Sequence, residues 1–296
     1  MKRKVIQLAK NTLVVSLPAK WAKTHSIKKG DEVEIEEADK ILKICSLSVK
    51  DEGKVTVRYQ KKYFLKRVIA TPYRMGYNEI RIEYDNPELY YKIQSEINNL
   101  IGFEIIKQGD GYCIAKNIAQ GIEAEFEASV NRLFLVTINF LEDISDNFDK
   151  GDYEKLKIIK NSEDLTNKLA HFCKRMLNKD KIPNNIRSKS IYRIVCLTEE
   201  IGDIGKKICE YIIKNNIKIS EGNKDYLKKI IEQIKMLYAF YKKFKHEDLK
   251  KYAELEKTNE KQCFELIKKL NKENYITFCI SMIVENIKHL SEEVFE

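Results

Sequence analysis

Residues 13–37 read LVVSLPAKWAKTHSIKKGDEVEIEE, and along this stretch the backbone preference changes from strand to helix and back to strand. The opening Leu-Val-Val belongs to a β-favouring run, Thr12 to Leu17. A second run, Val5 to Leu8, precedes it across Lys10-Asn11, where Asn tolerates the positive φ of a tight turn. Pro18 suits the first turn of a short helix, Pro18 to His25, because its missing N–H would lack a partner there in any case. Lys29-Gly30-Asp31 is a turn. After it Val33 and Ile35 alternate with Glu32, Glu34 and Glu36, the pattern of a half-buried strand. Beyond Ala38-Asp39-Lys40 a last strand, Ile41 to Cys45, completes a β-β-α-β-β order. A unit this small buries little core by itself, so it depends on a partner copy or on the rest of the chain.

The same segment carries the charge. The 296 residues hold 54 Lys and Arg against 45 Asp and Glu, a net of +9. Residues 1–29 contain eight of the basic groups and no acid, which leaves 46 basic and 45 acidic groups, a net of +1, for everything after them. A local basic field of this kind is the electrostatic footprint of a nucleic-acid-binding module.

In its Ser16-Leu17-Pro18, Lys20-Trp21, Ile27 and Lys29-Gly30-Asp31 followed by alternating Val and Glu, the stretch resembles the swapped-hairpin DNA-binding domain of the AbrB, MazE and SpoVT transition-state regulators. The resemblance implies that two chains interleave their hairpins into one small barrel and present basic residues to double-stranded DNA. On this sequence it marks Lys2, Arg3, Lys4, Lys10, Asn11, Lys20 and Lys23 as DNA-facing, with Trp21 as a hydrophobic plug in the dimer core. Arg3 is the only Arg before Arg58. Lys meets phosphate as a point charge, whereas Arg makes the bidentate contact to guanine, so backbone binding is better supported than base readout.

Two further regions follow. Residues 52–118 read as a small α/β connector. It has a strand at Val55 to Tyr59, a helix from Lys61 to Met75 and a strand from Glu79 to Tyr84. A second helix is opened by Asn86-Pro87-Glu88, and a hairpin turns at Gly109-Asp110-Gly111. Residues 119–296 read as six helices, roughly 119–148, 152–178, 184–215, 221–246, 248–271 and 274–295, broken at Gly151, Pro183 and Ser220-Glu221-Gly222. The third carries Ile194, Leu197, Ile201, Ile204 and Ile208. The sixth carries Ile280, Ile283, Ile287, Leu290 and Val294, the same spacing offset by 86 residues. Such stripes turn one apolar seam toward neighbouring helices, and a shared stripe at fixed offset suggests two copies of a three-helix unit.

Polar pairs sit opposite these seams: Glu163/Asn167 about Leu165, Glu199/Asp203 about Ile201, and Glu285/His289 about Ile287, each pair four residues apart and so on one helix face. With EEIGDIGKKICE at 199–210, this arrangement resembles the PhoU family of phosphate-uptake regulators, two tandem three-helix bundles whose E-x-x-x-D motifs hold metal clusters. Asn167 and His289 stand where the family has Asp, and Glu256/Glu260 is the candidate for a fourth pair. The resemblance implies a transition metal ion such as iron, with Glu163, Glu199, Asp203, Glu285 and His289 as ligands. A plain solvated helix face is the competing reading of the same spacing.

Other classes are excluded. The longest stretch without charge, Asn274 to Val284, is 11 residues, too short to span a bilayer. After Met1-Lys2-Arg3-Lys4, the residues Gln7, Lys10 and Asn11 break any signal-peptide core. Seven scattered Cys with no C-x-x-C pair suggest reduced thiols in a cytoplasmic protein. There is no phosphate-cradling glycine motif and no nucleophile–base spacing, so an enzyme is not expected, and Gly202 and Gly205 are read as close helix packing.

The expected fold class is therefore multidomain α+β. An N-terminal dimeric swapped-hairpin β-barrel spans 1–48 and an α/β connector 52–118. An all-α PhoU-like half spans 119–296, in two three-helix repeats at about 119–215 and 221–296. The expected function is a homodimeric DNA-binding transcriptional regulator of phosphate uptake, its helical half a sensor or a dock for phosphate transporter components, with no membrane insertion. The alternatives are a PhoU-type signalling adaptor that binds no DNA, and an antitoxin-like partner protein.

Overall fold

The computed structural model of the chain describes residues 2–38, 41–46, 53–59, 65–179, 187–268 and 273–295. The chain divides into two compact units, Met1–Gly53 and Lys54–Glu296.

In the first unit β1 (Val5–Ala9) pairs antiparallel with β2 (Thr12–Val15) across Lys10-Asn11. The Gln7 side-chain amide donates to the Lys10 carbonyl at 3.1 Å and closes the turn. Helix α1 (Ala19–Thr24) starts one residue later than the sequence suggests. Pro18 keeps an extended ψ of 122° and serves as the cap, its carbonyl accepting from Ala22 N at 2.9 Å. Gly30 turns the chain at φ +95°, a conformation open chiefly to glycine, and the Asp31 carboxylate accepts from Lys28 N at 2.7 Å. Strands β3 (Val33–Ala38) and β4 (Ile41–Ser46) form a second antiparallel hairpin. Its Asp39-Lys40 turn lies outside the described residues, as does the boundary at 47–52. Among the described residues the hairpins are two separate two-stranded sheets, and no barrel closes.

The second unit opens with a four-stranded sheet. Strand β5 (Lys54–Tyr59) leads to α2 (Leu65–Arg74), β6 (Glu79–Tyr84), α3 (Leu89–Asn98), β7 (Phe103–Gly109) and β8 (Tyr112–Asn117), with the order β5-β6-β8-β7. Strands β5 and β6 are parallel and the other pairs antiparallel. Period-2 alternation puts Ile80, Ile82, Cys113 and Ala115 in a core with Ile69, Tyr73, Ile93 and Ile97 of the helices. Helix α2 is described from Leu65, and the expected start at Lys61 lies outside the described residues. Helix α3 begins at Leu89 rather than Pro87, because Asn86 first makes a turn: its side-chain oxygen accepts from Glu88 N at 2.8 Å and its carbonyl from Leu89 N at 3.0 Å.

Seven α-helices are described beyond residue 119, where the sequence suggests six. They are α4 (Phe126–Lys150), α5 (Tyr153–Lys160), α6 (Glu163–Asn178), α7 (Ser188–Asn215), α8 (Glu221–Lys242), α9 (Leu249–Ile267) and α10 (Asn274–Phe295). The extra one arises because the expected helix 152–178 breaks at Asn161-Ser162, whose N–H groups bond three residues back, to Ile158 at 3.0 Å and Ile159 at 2.9 Å. The expected break at Pro183 lies outside the described residues. Both apolar stripes are buried, α7's Ile194 to Ile208 and α10's Ile280 to Val294. Helices α4, α6 and α7 pack on one another, α8, α9 and α10 do likewise, and α7 with α10 and α4 with α8 join the trios into one core. Gly202 and Gly205 allow the close approach, since a Cβ would lie 3.1 Å from Thr166 Cγ2 at the first and 2.9 Å from Phe140 at the second. Among the described residues no helix is long and apolar enough to cross a membrane.

Helix α6 also anchors the sheet region, through α2 and the loop from α2 to β6. Arg175, 1% exposed, donates to the carbonyls of Tyr73 at 2.8 Å and Tyr77 at 2.7 Å and to Asn78 Oδ1 at 2.8 Å. Its guanidinium lies 4.9 Å from the ring centres of both Tyr73 and Phe103. One turn on, Asn178 donates to the Arg74 carbonyl at 2.8 Å.

Candidate functional site

Two sites were expected, and they differ in build. The first is the basic segment. Lys2, Arg3 and Lys4 lead into β1, Lys10 and Asn11 form the β1–β2 turn, and Lys20 and Lys23 are one turn apart on α1; all seven are exposed. Trp21 is half-buried, its ring 5.1 Å from that of His25. The apolar residues around them are not covered. Val5 is 65% exposed, Leu8 73%, Leu13 70% and Ile35 58%, and among the described residues of this unit none is buried. The sequence pattern marked these positions as strand. Their exposure in a single copy is a fact of the three-dimensional structure.

The second site is the α6–α7 face. Glu163 is 1% exposed and its carboxylate accepts hydrogen bonds from Lys206 Nζ at 2.6 Å and from Asn167 Nδ2. Asp203 stands on the solvent side of α7 with its carboxyl hydrogen-bonded to Glu163. Burial would raise the Glu163 carboxyl, but the hydrogen bonds from Asp203, Lys206 and Asn167 outweigh it and hold the group below its ordinary range. Burial, the hydrogen bond to Glu163 and the charges of Glu163 and Glu199 push the Asp203 carboxyl up to about 7. Glu199 pairs with Lys174 Nζ and lies 3.6 Å from His171 Nδ1. His171 is held neutral, its pKa lowered to about 4 by burial and by the charges of Arg74, Lys174 and Lys66. Lys174 is 5% exposed. Burial lowers its pKa, but Glu199 outweighs that and keeps it charged.

The structure thus joins Glu163 to Asp203 and places Glu199 beside them on α7. It does not bring all five expected metal ligands together. Glu285 and His289 lie on α10, where Glu285 is exposed and His289 Nδ1 is 3.5 Å from Glu292 Oε2. Among the described residues no group of three or more His, Cys, Asp or Glu is disposed to hold a metal ion. The donor chemistry gives the reason: Glu163 and Glu199 are each already paired with an ammonium group, Lys206 and Lys174. An iron-type ion does not fit this set as it stands. The residues missed from sequence are Lys174, Lys206 and Arg175. Lys206 had a signal, lying one turn from Asp203 on the same helix, whereas Lys174 and Arg175 had none.

Compared with known protein families, residues 6–58 match the model described as "Antidote-toxin recognition MazE, bacterial antitoxin". This match falls on the basic segment and the two hairpins and ends within β5. Neither the curated proteins nor the solved structures yield a match.

Proposed function

We propose that the chain is a homodimeric DNA-binding regulator. A second copy covers the apolar faces of β1–β4, and the paired basic segments lie along the DNA backbone. The observation that carries this reading is the first unit itself: eight basic groups and no acid in residues 1–29, on a scaffold in which no described residue is buried. A sheet that leaves Leu8 and Leu13 in water is completed by another chain, and a local field of that sign selects a polyanion. The match of residues 6–58 to an antitoxin-type domain supports the same assignment.

The finer reading, regulation of phosphate uptake with transporter components as partners, rests on the resemblance of residues 199–210 and of the paired helices to PhoU-type proteins. The antitoxin-like alternative is favoured by the description of the matched family. It predicts a small toxin gene beside this one, where the leading reading predicts phosphate-transport genes.

The test is a salt titration on promoter DNA next to a phosphate-transport operon. With roughly six to ten phosphate contacts, affinity falls about 10³- to 10⁵-fold between 50 and 200 mM salt. Replacing Lys2, Arg3 and Lys4 together by Ala flattens the slope and leaves the helical half folded. Equal slopes for the two proteins, or no binding at 50 mM salt, would return the chain to the adaptor reading.

A further inference from the structure

The α6–α7 face is where the resemblance to PhoU-type proteins leads one to look for a metal, and its carboxylates are already paired with lysine ammonium groups. Glu163 is a buried carboxylate, and an ionised group out of water requires a cation. That cation is covalently attached: Lys206 Nζ is 2.6 Å from Glu163 Oε2 and 3.9 Å from Asp164 Oδ1, with Asp203 hydrogen-bonded to the same glutamate. One turn away Lys174 meets Glu199 in the same manner, and its side chain is 6% exposed. These oxygens, from Glu163, Asp164 and Asp203, are the hard donors that Mg²⁺ or Mn²⁺ would take. A divalent ion entering here would have to displace an ammonium group already seated in good geometry.

We infer that Lys206 and Lys174 stand in for a metal at this face, so that the α6–α7 junction is held by side-chain cations, is indifferent to chelators, and opens to divalent ions only when those ammonium groups are removed. The inference is independent of whether the chain binds DNA.

The experiment uses the full chain purified with and without EDTA. Metal content and thermal unfolding are measured for the wild type and for Lys174→Met with Lys206→Met, in which methionine keeps the packing of the stem and deletes the charge. The wild type is expected to hold no stoichiometric metal, and its Tm is expected not to respond to EDTA or to Mn²⁺. The double variant is expected to melt lower and to regain several degrees on addition of Mn²⁺, because an ion that binds only the folded state stabilises it by mass action. Should the double variant not fold, Lys206→Met alone carries the test, since that side chain is 27% exposed and more tolerant of change. Stoichiometric metal in the wild type, lost on Glu199→Gln with Asp203→Asn, would overturn the inference. So would a lysine variant as stable as wild type, or one destabilised but unresponsive to Mn²⁺.

Discussion

The two units of this chain draw on the same aliphatic side chains and put them to opposite use. In the first, Val5, Ile6, Leu8 and Leu13 are 56–73% exposed. In the second, Ile80, Ile82, Ile201 and Ile287 are fully buried. Size separates them: a few dozen residues enclose little core, while residues 54–296 form two cores, one of the β5–β8 sheet with α2 and α3 and one of helices α4–α10. Charge is divided in the same way. Lys2, Lys4 and Lys10 stand in solvent, free to meet an external anion, whereas Lys174 and Arg175 are buried and satisfied by internal partners. The first unit leaves its described aliphatic residues outside any core, whereas the second encloses cores of its own while leaving Tyr91, Ile158 and Phe264 68–75% exposed.

The comparison breaks most visibly at Arg175. Arg175→Ala removes the side-chain donor of the Tyr77 carbonyl and one of two donors to the Tyr73 carbonyl and to Asn78 Oδ1, which keep Gly76 N and Lys179 Nζ, and with the cavity left behind is expected to cost about 3–5 kcal/mol. Urea unfolding should show the sheet of β5–β8 melting before the helices. A cost under about 1 kcal/mol would mean that α6 does not anchor the sheet region.

The first unit should respond to the opposite kind of change. Leu13→Asp puts a charge on the apolar face assigned above to the proposed second copy, so each chain is expected to forfeit about 1.5–3 kcal/mol of burial at that interface. Light scattering should report monomer in place of dimer and DNA affinity should fall with it, while the helical circular dichroism stays unchanged. A dimer that survives this substitution would place the partner elsewhere.

The smallest effect sharpens the contrast in charge. His171 has its folded pKa lowered to about 4, against about 6.5 when unfolded. Over that window the unfolded chain binds the extra proton. The contribution of His171 is therefore complete above about pH 6.5 and is lost as pH falls toward 4. Relative to His171→Gln, the wild type should lose about 2 kcal/mol between pH 7.5 and 4.5 in denaturant titrations, a figure reduced for its partial exposure. A variant whose stability follows the wild type across this range would show that the imidazole is not shielded.

Much of this was legible from residue order. The strands of the first unit followed from alternation and from the Lys10-Asn11 and Lys29-Gly30-Asp31 turns, and the stripes of α7 and α10 from their 3-4 spacing. Local geometry dictates such features, so local sequence encodes them. The start of α1 and the break between α5 and α6 were missed by a residue or by a whole helix. There the outcome depended on the extended ψ of Pro18 and on Asn161 and Ser162, whose N–H groups bond three residues back, to Ile158 and Ile159, in place of continuing the helix.

The sequence by itself determined that Glu163 and Asn167 share one helix face, that Glu199 and Asp203 share another, and that the positive charge gathers in the first 29 residues. Only the tertiary structure decided that these two faces meet, and that lysine ammonium groups rather than open positions complete them. Spacing of 3.6 residues per turn fixes which side of a helix a carboxylate occupies, but its neighbour across the interface is set by packing. Here that packing is the approach of α6 to α7 at Gly202 against Thr166. The burial of Arg175 has the same origin: its acceptors lie 97 to 102 residues away in sequence, and only the folded chain brings them within 3 Å.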